Sequence, residues 1–248
     1  GIFNLPPSFL KEANACIYTN FNPLSDDNLV GEEGESYKLN IDLDSTKLKA
    51  TTMIPNSVDL DSVWFEKLGD KDSLGLAWGL LTDPDTLGNA YRWFAKRISH
   101  YSDGTQKDLR FIPPNERSVF KDRFANDIQY EFSFYRGSSS VGNKSEEEVE
   151  GLFKDSDTIA VKFTSITLES YRFYRTFEEA VDNNGSPFAS PKTIQSNIKN
   201  GNGVWAGYAP SYDTIYCAAE ARRRKEHIKC GIKCYFSCNT RKNSDGEL

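Results

Sequence analysis

Three cysteines that recur every fourth residue are the most conspicuous reactive groups of this 248-residue chain. They are Cys230, Cys234 and Cys238, and Cys217 precedes them. Common zinc sites take four ligands in two close pairs separated by a loop, and this spacing does not supply such pairs. Disulfides form in the oxidising compartments that exported proteins occupy, and we expect them among these four cysteines, ahead of free thiols and of a metal site. With Cys16 the total is odd, so at least one cysteine has no partner within the chain, and the connectivity stays open.

The two histidines limit the catalytic centres that this chain can form. A Ser-His-Asp triad or a Cys-His pair must use either His100, on a predicted strand, or His227, on a predicted basic helix. Neither lies in a nucleophile or zinc-protease motif such as G-x-S-x-G or H-E-x-x-H. We therefore expect a non-enzymatic protein with no catalytic residues, no metal site and no cofactor.

Paired aspartates are the remaining groups with catalytic or cation-binding chemistry. Asp70 with Asp72, and Asp83 with Asp85, suggest acid and base in glycoside cleavage, or calcium ligands. Both pairs lie in turn sequences, GDKD and TDPDTLGN, where Asp side chains bond to the backbone, and the full calcium-loop pattern is absent. We favour the turn interpretation and keep calcium binding, or a hydrolase with a scattered carboxylate site, as alternatives.

Two aromatic residues in the segment NGNGVWAGY are the candidate ligand-binding residues. Trp205 and Tyr208 would offer flat rings to a sugar or another flat ligand, although packing against a predicted helix is the favoured alternative. The glycines lack the spacing of a phosphate-binding loop. The segment instead predicts the entry to a strand with a close approach of two backbones.

The charge pattern excludes some classes of partner. A net charge of −6 argues against general nucleic-acid binding, and the basic run 222–225 is more typical of a solvated helix face.

No apolar stretch reaches the roughly 18 to 20 residues that a membrane-spanning helix needs. Charged residues precede Cys16 where an apolar signal core should lie, so we reject Cys16 as a lipid-bearing residue and expect the export signal upstream.

Alternating and helical patterns predict the elements that position these residues. The predicted strands are 15–21, 36–43, 47–54, 58–68, 75–81, 90–101, 127–136 and 157–167. A helix is predicted over 168–181, with Thr167 as its cap, an ending at Asn183-Asn184-Gly185 and one apolar face formed by Leu168, Tyr171, Tyr174, Phe177 and Val181. A second helix is predicted over 218–229, and a mobile surface loop over 137–151.

These elements predict a mainly β protein with two sandwich-type domains. We place the first sandwich at 1–83 and the second β-rich domain at 84–217, where the helix 168–183 packs on a sheet. A basic tail that contains cysteines, 218–248, follows.

Three stretches in order carry a resemblance to a known family. They are GESYKLNIDLDSTKLKATTMIPNSVDLDSV, then TDPDTLGNAYRWF, then DTIAVKFTSITLESYRFYRTFEEAVDNNGSPFASPKTIQSNIKNGNGVWAGY. Together they resemble domain of unknown function 4249, a family of surface lipoproteins from Bacteroidota, over about residues 29–215. The most specific part is Tyr171-Arg172-Phe173-Tyr174, followed by Pro187-Phe188 and by Asn197-Ile198 with Gly203-Val204-Trp205-Ala206-Gly207-Tyr208.

The resemblance implies an outer-membrane lipoprotein, often encoded beside TonB-dependent transporters, with an immunoglobulin-like sandwich near the amino terminus and a second β-rich domain. It brings no catalytic residues. Family members begin with a lipidated cysteine and further β structure before residues 34–63, so we expect the first sandwich to lack upstream strands.

The resemblance also sets the expected role and location. We expect an accessory binding or scaffolding subunit of a TonB-dependent β-barrel transporter, held at the cell surface or periplasmic face of the outer membrane by an upstream lipid. An adhesion module for host protein, matrix protein or glycan is the alternative.

Overall fold

The structure is a computed structural model that describes residues 29–43, 45–69, 73–114, 117–122, 128–137, 151–182 and 192–218. The chain divides into two compact units, Gly1–Glu32 and Glu33–Leu248, and most of the first unit lies outside the described residues. Strands make up 45% of the structure and helix 10%, so the predicted mainly β fold is confirmed.

The described elements are ten strands and one helix. In chain order they are β1 Ser36–Leu43, β2 Thr46–Met53, β3 Ser62–Lys67, β4 Leu74–Thr82, β5 Ala90–Arg97, β6 Val119–Lys121, β7 Gln129–Phe134, β8 Phe153–Lys154, β9 Thr158–Ile166, α1 Leu168–Asp182 and β10 Ala209–Tyr216. No helix in this part of the chain is long and apolar enough to cross a bilayer.

Strands β1 and β2 form an antiparallel hairpin by themselves. Its register runs from Ser36 opposite Met53 to Leu43 opposite Thr46. A two-stranded hairpin buries one face at most, so it needs support from elsewhere in the chain. That support comes from the segment before β10, where Lys199 bridges to Lys49 of β2.

The other strands form two antiparallel sheets. Sheet I has the order β10-β9-β5-β6, and sheet II has the order β3-β4-β7 with β8 paired to the start of β4. In sheet II, Trp64 lies opposite Trp78 across β3 and β4, with ring centroids 6.2 Å apart and planes inclined by 14°.

Sheets I and II face each other across one aromatic core. Tyr91 and Trp93 of sheet I share a buried cluster with Phe65, Phe134 and Phe153 of sheet II, and Trp93 meets Phe134 edge-on at 5.7 Å. Each buried aromatic ring contributes on the order of 1.5–3 kcal/mol of transfer free energy. Strand β4 lies before the predicted domain boundary at residues 83 and 84, and its partner β7 lies after that boundary. The two strands share one hydrophobic core, so the core does not divide at the predicted boundary.

Helix α1 packs on the outer face of sheet I next to β6, as predicted. Thr167 caps it, because its Oγ1 accepts a hydrogen bond from the amide of Ser170 at 3.3 Å. The predicted apolar face is correct for three of its five residues. Its Leu168, Tyr171 and Tyr174 pack on the sheet, whereas its Phe177 and Val181 are 46% and 51% exposed.

Several differences separate the predicted elements from the observed ones. Strands β6, β8 and β10 were not predicted, and the strand predicted to run through His100 ends at Arg97. The predicted strand 15–21, most of the loop 137–151 and nearly all of the helix 218–229 and the tail lie outside the described residues.

Candidate functional site

Trp205 is a structural anchor for the β1–β2 hairpin. Its indole N–H donates to the carbonyl oxygen of Tyr37 at 3.2 Å. Asn197 holds the Trp205 backbone from both sides, since its Oδ1 accepts from the Trp205 amide and its Nδ2 donates to the Trp205 carbonyl, each at 2.8 Å. These three hydrogen bonds occupy the indole N–H and the backbone polar groups of Trp205, and they fix the orientation of its ring.

Tyr208 packs against α1 and the outer face of sheet I. Its hydroxyl bonds to that of Tyr174, and Arg92 donates an Nη1 hydrogen bond to it at 3.2 Å. The ring meets Phe94 edge-on with centroids 6.3 Å apart. Trp205 therefore contacts the hairpin, whereas Tyr208 contacts helix α1. Packing against the helix is the arrangement that the sequence analysis favours, and Tyr208 shows it while Trp205 bonds to the hairpin.

The glycine-rich segment between them makes the close backbone approach that the sequence predicts. A Cβ on Gly207 would lie 2.6 Å from the carbonyl oxygen of Met53, which no side chain tolerates. β10 begins two residues later, at Ala209, so the segment is also the predicted strand entry.

A polar network beneath α1 was not predicted. Glu178 is only 6% exposed, and its carboxylate accepts hydrogen bonds from the amide and hydroxyl of Ser118. Arg92 donates from Nε to the Ser118 hydroxyl at 3.2 Å and lies over the ring of Tyr174 at 3.6 Å. Burial raises the pKa of Glu178, and the Ser118 hydrogen bonds and the Arg92 charge offset part of that rise.

This network also sets the position of Arg117. The backbone of Arg117 lies close enough to Glu178 to lower the pKa of its carboxyl, and Arg117 has a left-handed φ of 56°. A residue other than glycine adopts that conformation only when its surroundings hold it there. Glu178 thus ties the entry to β6 to helix α1.

An open cleft lies between α1 and β6, with a cavity volume of about 590 Å³. Its polar walls carry Arg117 and Lys121 from β6 and its entry, and Arg175 and Glu179 from α1. Tyr171 and Trp93 contribute aromatic surface. This volume falls within the range of about 300–1,000 Å³ that small-molecule sites occupy.

The charged groups of the cleft are unevenly paired. Glu179 accepts from Arg175 at 2.8 Å and also meets Lys192 at 3.5 Å. The ammonium group of Lys121 lies over the Tyr171 ring, 5.3 Å from its centroid. The described lining side chains carry three positive charges, on Arg117, Lys121 and Arg175, and one negative charge, on Glu179. The cleft therefore has a local positive charge.

Trp93 adds an unusual polar group to the lining. The residue is 5% exposed, and its indole N–H has no hydrogen-bond partner among the described residues. A buried donor without a partner costs about 1–3 kcal/mol. The nitrogen itself is buried, because the Trp93 ring packs in the aromatic core against Phe132 and Phe134.

The predicted aspartate pair does not form a joint site. Asp83 is fully buried and accepts from the Tyr91 hydroxyl at 2.8 Å and from Asn89 at 3.4 Å, whereas Asp85 is exposed. The hydrogen bonds of the Asp83 carboxylate are therefore to side chains, whereas the turn interpretation predicts hydrogen bonds to the backbone. Among the described residues, no group of three or more potential metal ligands is present. Asp70 and Asp72 lie outside the described residues.

Cys217 and His100 are the cysteine and the histidine that lie among the described residues. Cys217 carries a free, fully buried thiol, and burial raises its pKa. Its predicted disulfide partners Cys230, Cys234 and Cys238 lie outside the described residues, so pairing among those three stays a prediction. His100 is exposed in a turn that bridges to Gln106.

Comparison with known proteins supports the resemblance seen in the sequence. The family model described as Domain of unknown function (DUF4249) matches residues 8–213. No curated protein and no solved structure matches the chain.

Proposed function

Because the chain belongs to the DUF4249 family, we propose that it is a non-enzymatic binding protein of the outer-membrane surface. A lipid anchor holds it there, and it serves as an accessory subunit of a TonB-dependent transporter. In this role the protein binds a nutrient, or a complex that carries it, and delivers it to the β-barrel. The lipoprotein character and the transporter come from the family resemblance.

The cleft between α1 and β6 is the observation that supports a binding role. A rigid sandwich forms one wall, and a capped helix tied to it by the Glu178–Ser118 bonds forms the other. Binding sites need such walls, because lining side chains held in place lose little entropy when a ligand arrives. The mixture of cations with the aromatic ring of Tyr171 suits recognition.

A second function, adhesion to a matrix protein or glycan, is favoured by the outer side of β10. Tyr212 and Tyr216 point to solvent from this strand and are 59% and 60% exposed. In the described part of the chain β10 is at an edge of sheet I, where a partner strand can pair with it. Exposed tyrosines on an edge strand are typical of protein-binding surfaces.

Affinity purification of the full-length lipidated protein from its native outer membrane tests the proposed function. We expect a β-barrel transporter in stoichiometric amount in the mass spectra. A double variant, Tyr212→Ser with Tyr216→Ser, is the matched control, because both side chains are more than half exposed. If no transporter is recovered and the wild type but not this variant binds matrix protein, the adhesion function replaces the accessory role.

A further inference from the structure

The face of sheet II that is turned away from the core carries two tryptophans. Phe65 and Ala77 point into the core, so Trp64 and Trp78, each one position away, emerge on the opposite face. Both indoles are partly exposed. In the described part of the chain α1 packs on sheet I, and no helix or strand packs over this outer face of sheet II.

The other two tryptophans of the chain have structural roles that this pair lacks. Trp93 belongs to the aromatic core, and Trp205 anchors the hairpin. Trp64 and Trp78 lie outside the core cluster, and among the described residues each indole has only the other as a ring neighbour. Partly exposed indoles are unfavourable in water and are enriched at binding surfaces.

A preformed polar group lies on the same face. Asp61 accepts a hydrogen bond from the Thr82 hydroxyl at 2.6 Å and another from the Gln129 side-chain amide at 3.2 Å. Gln129 also donates to the Thr82 hydroxyl at 3.1 Å. Thr82 follows Trp78 by four positions on β4, so its side chain emerges on the same face about 13 Å along the strand. Polar atoms held in this way lose little entropy when a ligand binds.

The charges of this face exclude anionic ligands. Glu66 and Glu131 emerge on it beside Asp61, and the residues paired between the two tryptophans and Thr82 include no lysine or arginine. The Thr82 hydroxyl and the Gln129 amide can both donate and accept, whereas an ammonium or guanidinium group can only donate. A ligand hydroxyl, which also does both, therefore matches these groups better than a cation does.

Aromatic rings together with such groups are the means by which proteins recognise sugars, and we propose that the outer face of sheet II binds a neutral oligosaccharide along β4. The C–H face of one sugar ring packs on Trp64 and Trp78, and hydroxyls of a later ring bond to Asp61 and Gln129. The separation of about 13 Å requires at least two sugar rings. This site is distinct from the α1–β6 cleft and requires neither the transporter role nor adhesion through β10.

An array of immobilised neutral and acidic oligosaccharides, probed with the labelled protein, tests the ligand class. We expect binding to neutral oligosaccharides of two or more rings and not to acidic ones. Calorimetric titration with the strongest neutral binder then measures the effect of Trp78→Ala, which should weaken binding at least about tenfold. Tyr216→Ala, the matched control, removes an exposed ring from sheet I and should leave the affinity unchanged.

A second variant tests the polar end of the site without altering the rings. Gln129→Ala should weaken binding about three- to tenfold, because it removes a group that bonds to a ligand hydroxyl. Gln195→Ala, at an exposed position beside α1, is its control and should have no effect. The melting temperature of each variant is measured as well, and Gln129→Ala decides the matter if Trp78→Ala does not fold.

Three outcomes would overturn the proposal. They are the absence of binding to every neutral oligosaccharide of the array, a preference for acidic ones, and equal effects of the site variants and their controls. Binding of a lysine-rich peptide with the same dependence on Trp78, in place of sugar, would identify a cation site instead. Copurification of the transporter is independent of all these results, so the accessory role stands or falls separately.

Discussion

The indole of Trp205 donates a hydrogen bond at 3.2 Å to the carbonyl oxygen of Tyr37, 168 positions earlier in the chain. This bond fixes the β1–β2 hairpin to the segment that precedes β10. Its donor was a candidate ligand-binding residue in the sequence, and its geometry makes it a support for the fold.

Replacing Trp205 by Phe tests which of these roles dominates. The variant keeps most of the ring contacts but removes the donor, so we expect the free energy of unfolding to fall by about 1 kcal/mol. Hydrogen exchange should accelerate in β1 and β2 more than in sheet II. Weaker ligand binding at unchanged stability would restore the ligand-binding interpretation. Phe177→Leu, at an exposed helix position, is the control substitution.

Asp213 should make the stability of the protein depend on pH. It lies between the buried Ser211 and Ile215 on the inward side of β10, and burial, together with the charge of Asp59, raises its pKa from 3.8 to about 6. Because the folded pKa is above the unfolded one, this group favours the folded state when protonated. That contribution is complete below about pH 4 and is lost as the pH rises through 6.

We therefore expect Asp213→Asn to be more stable than the wild type at pH 7, by about 1–3 kcal/mol. The difference should shrink towards pH 4. Urea unfolding at pH 4, 5, 6 and 7 measures it. Asp59→Asn should show a smaller effect of the same sign, since Asp59 is the lesser of the two causes. A variant that is less stable than the wild type at pH 7 would contradict this account.

Glu178 is expected to matter for its shape more than for its charge. Gln at this position keeps the oxygen that accepts from Ser118 and removes a charge that burial disfavours, so Glu178→Gln should match or exceed the wild-type stability at pH 7. Glu178→Ala leaves the Ser118 donors unpaired and should cost about 1–3 kcal/mol. Calorimetric melting of both variants measures this. If Gln proves as harmful as Ala, the negative charge itself is required.

Gly207 should not accept even one additional carbon atom. Gly207→Ala places a methyl group against the backbone of Met53 and Ile54, and we expect a loss of at least about 1–3 kcal/mol. Gly201→Ala is the matched comparison, because the nearest atom to its new methyl group is the flexible end of Leu48. Urea unfolding should rank Gly207→Ala well below Gly201→Ala. The same loss for both would show that the backbone of Met53 does not set the cost at Gly207.

Periodicity predicted the elements whose apolar residues face the inside of the protein and whose polar residues face solvent. β1 has the predicted bounds, and α1 begins at the predicted Leu168. β10 was missed because its alternation is inverted, with Tyr212 and Tyr216 outward and Ser211 and Asp213 inward. β6 and β8 have three and two residues, too few to show any period.

The candidate site was harder to predict than the fold. Arg117 and Lys121 enter the cleft from one element and Arg175 from another, more than fifty positions later, so their proximity depends on how α1 lies on the sheet. Glu178 and Glu179 look alike in the sequence, yet one is buried against Ser118 and the other lines the cleft. The direction in which each side chain leaves the packed helix determines whether it is buried or lines the cleft.

The near-parallel pair Trp64 and Trp78 gives sheet II an optical signature of its own. Two indoles at 6.2 Å couple their excited states, so the pair should produce a bisignate circular dichroism band in the far ultraviolet. That band depends on the register of β3 with β4, because a shift of one residue would turn one ring to the opposite side of the sheet. Spectra of each variant can therefore report whether this half of the sandwich is still paired as in the wild type.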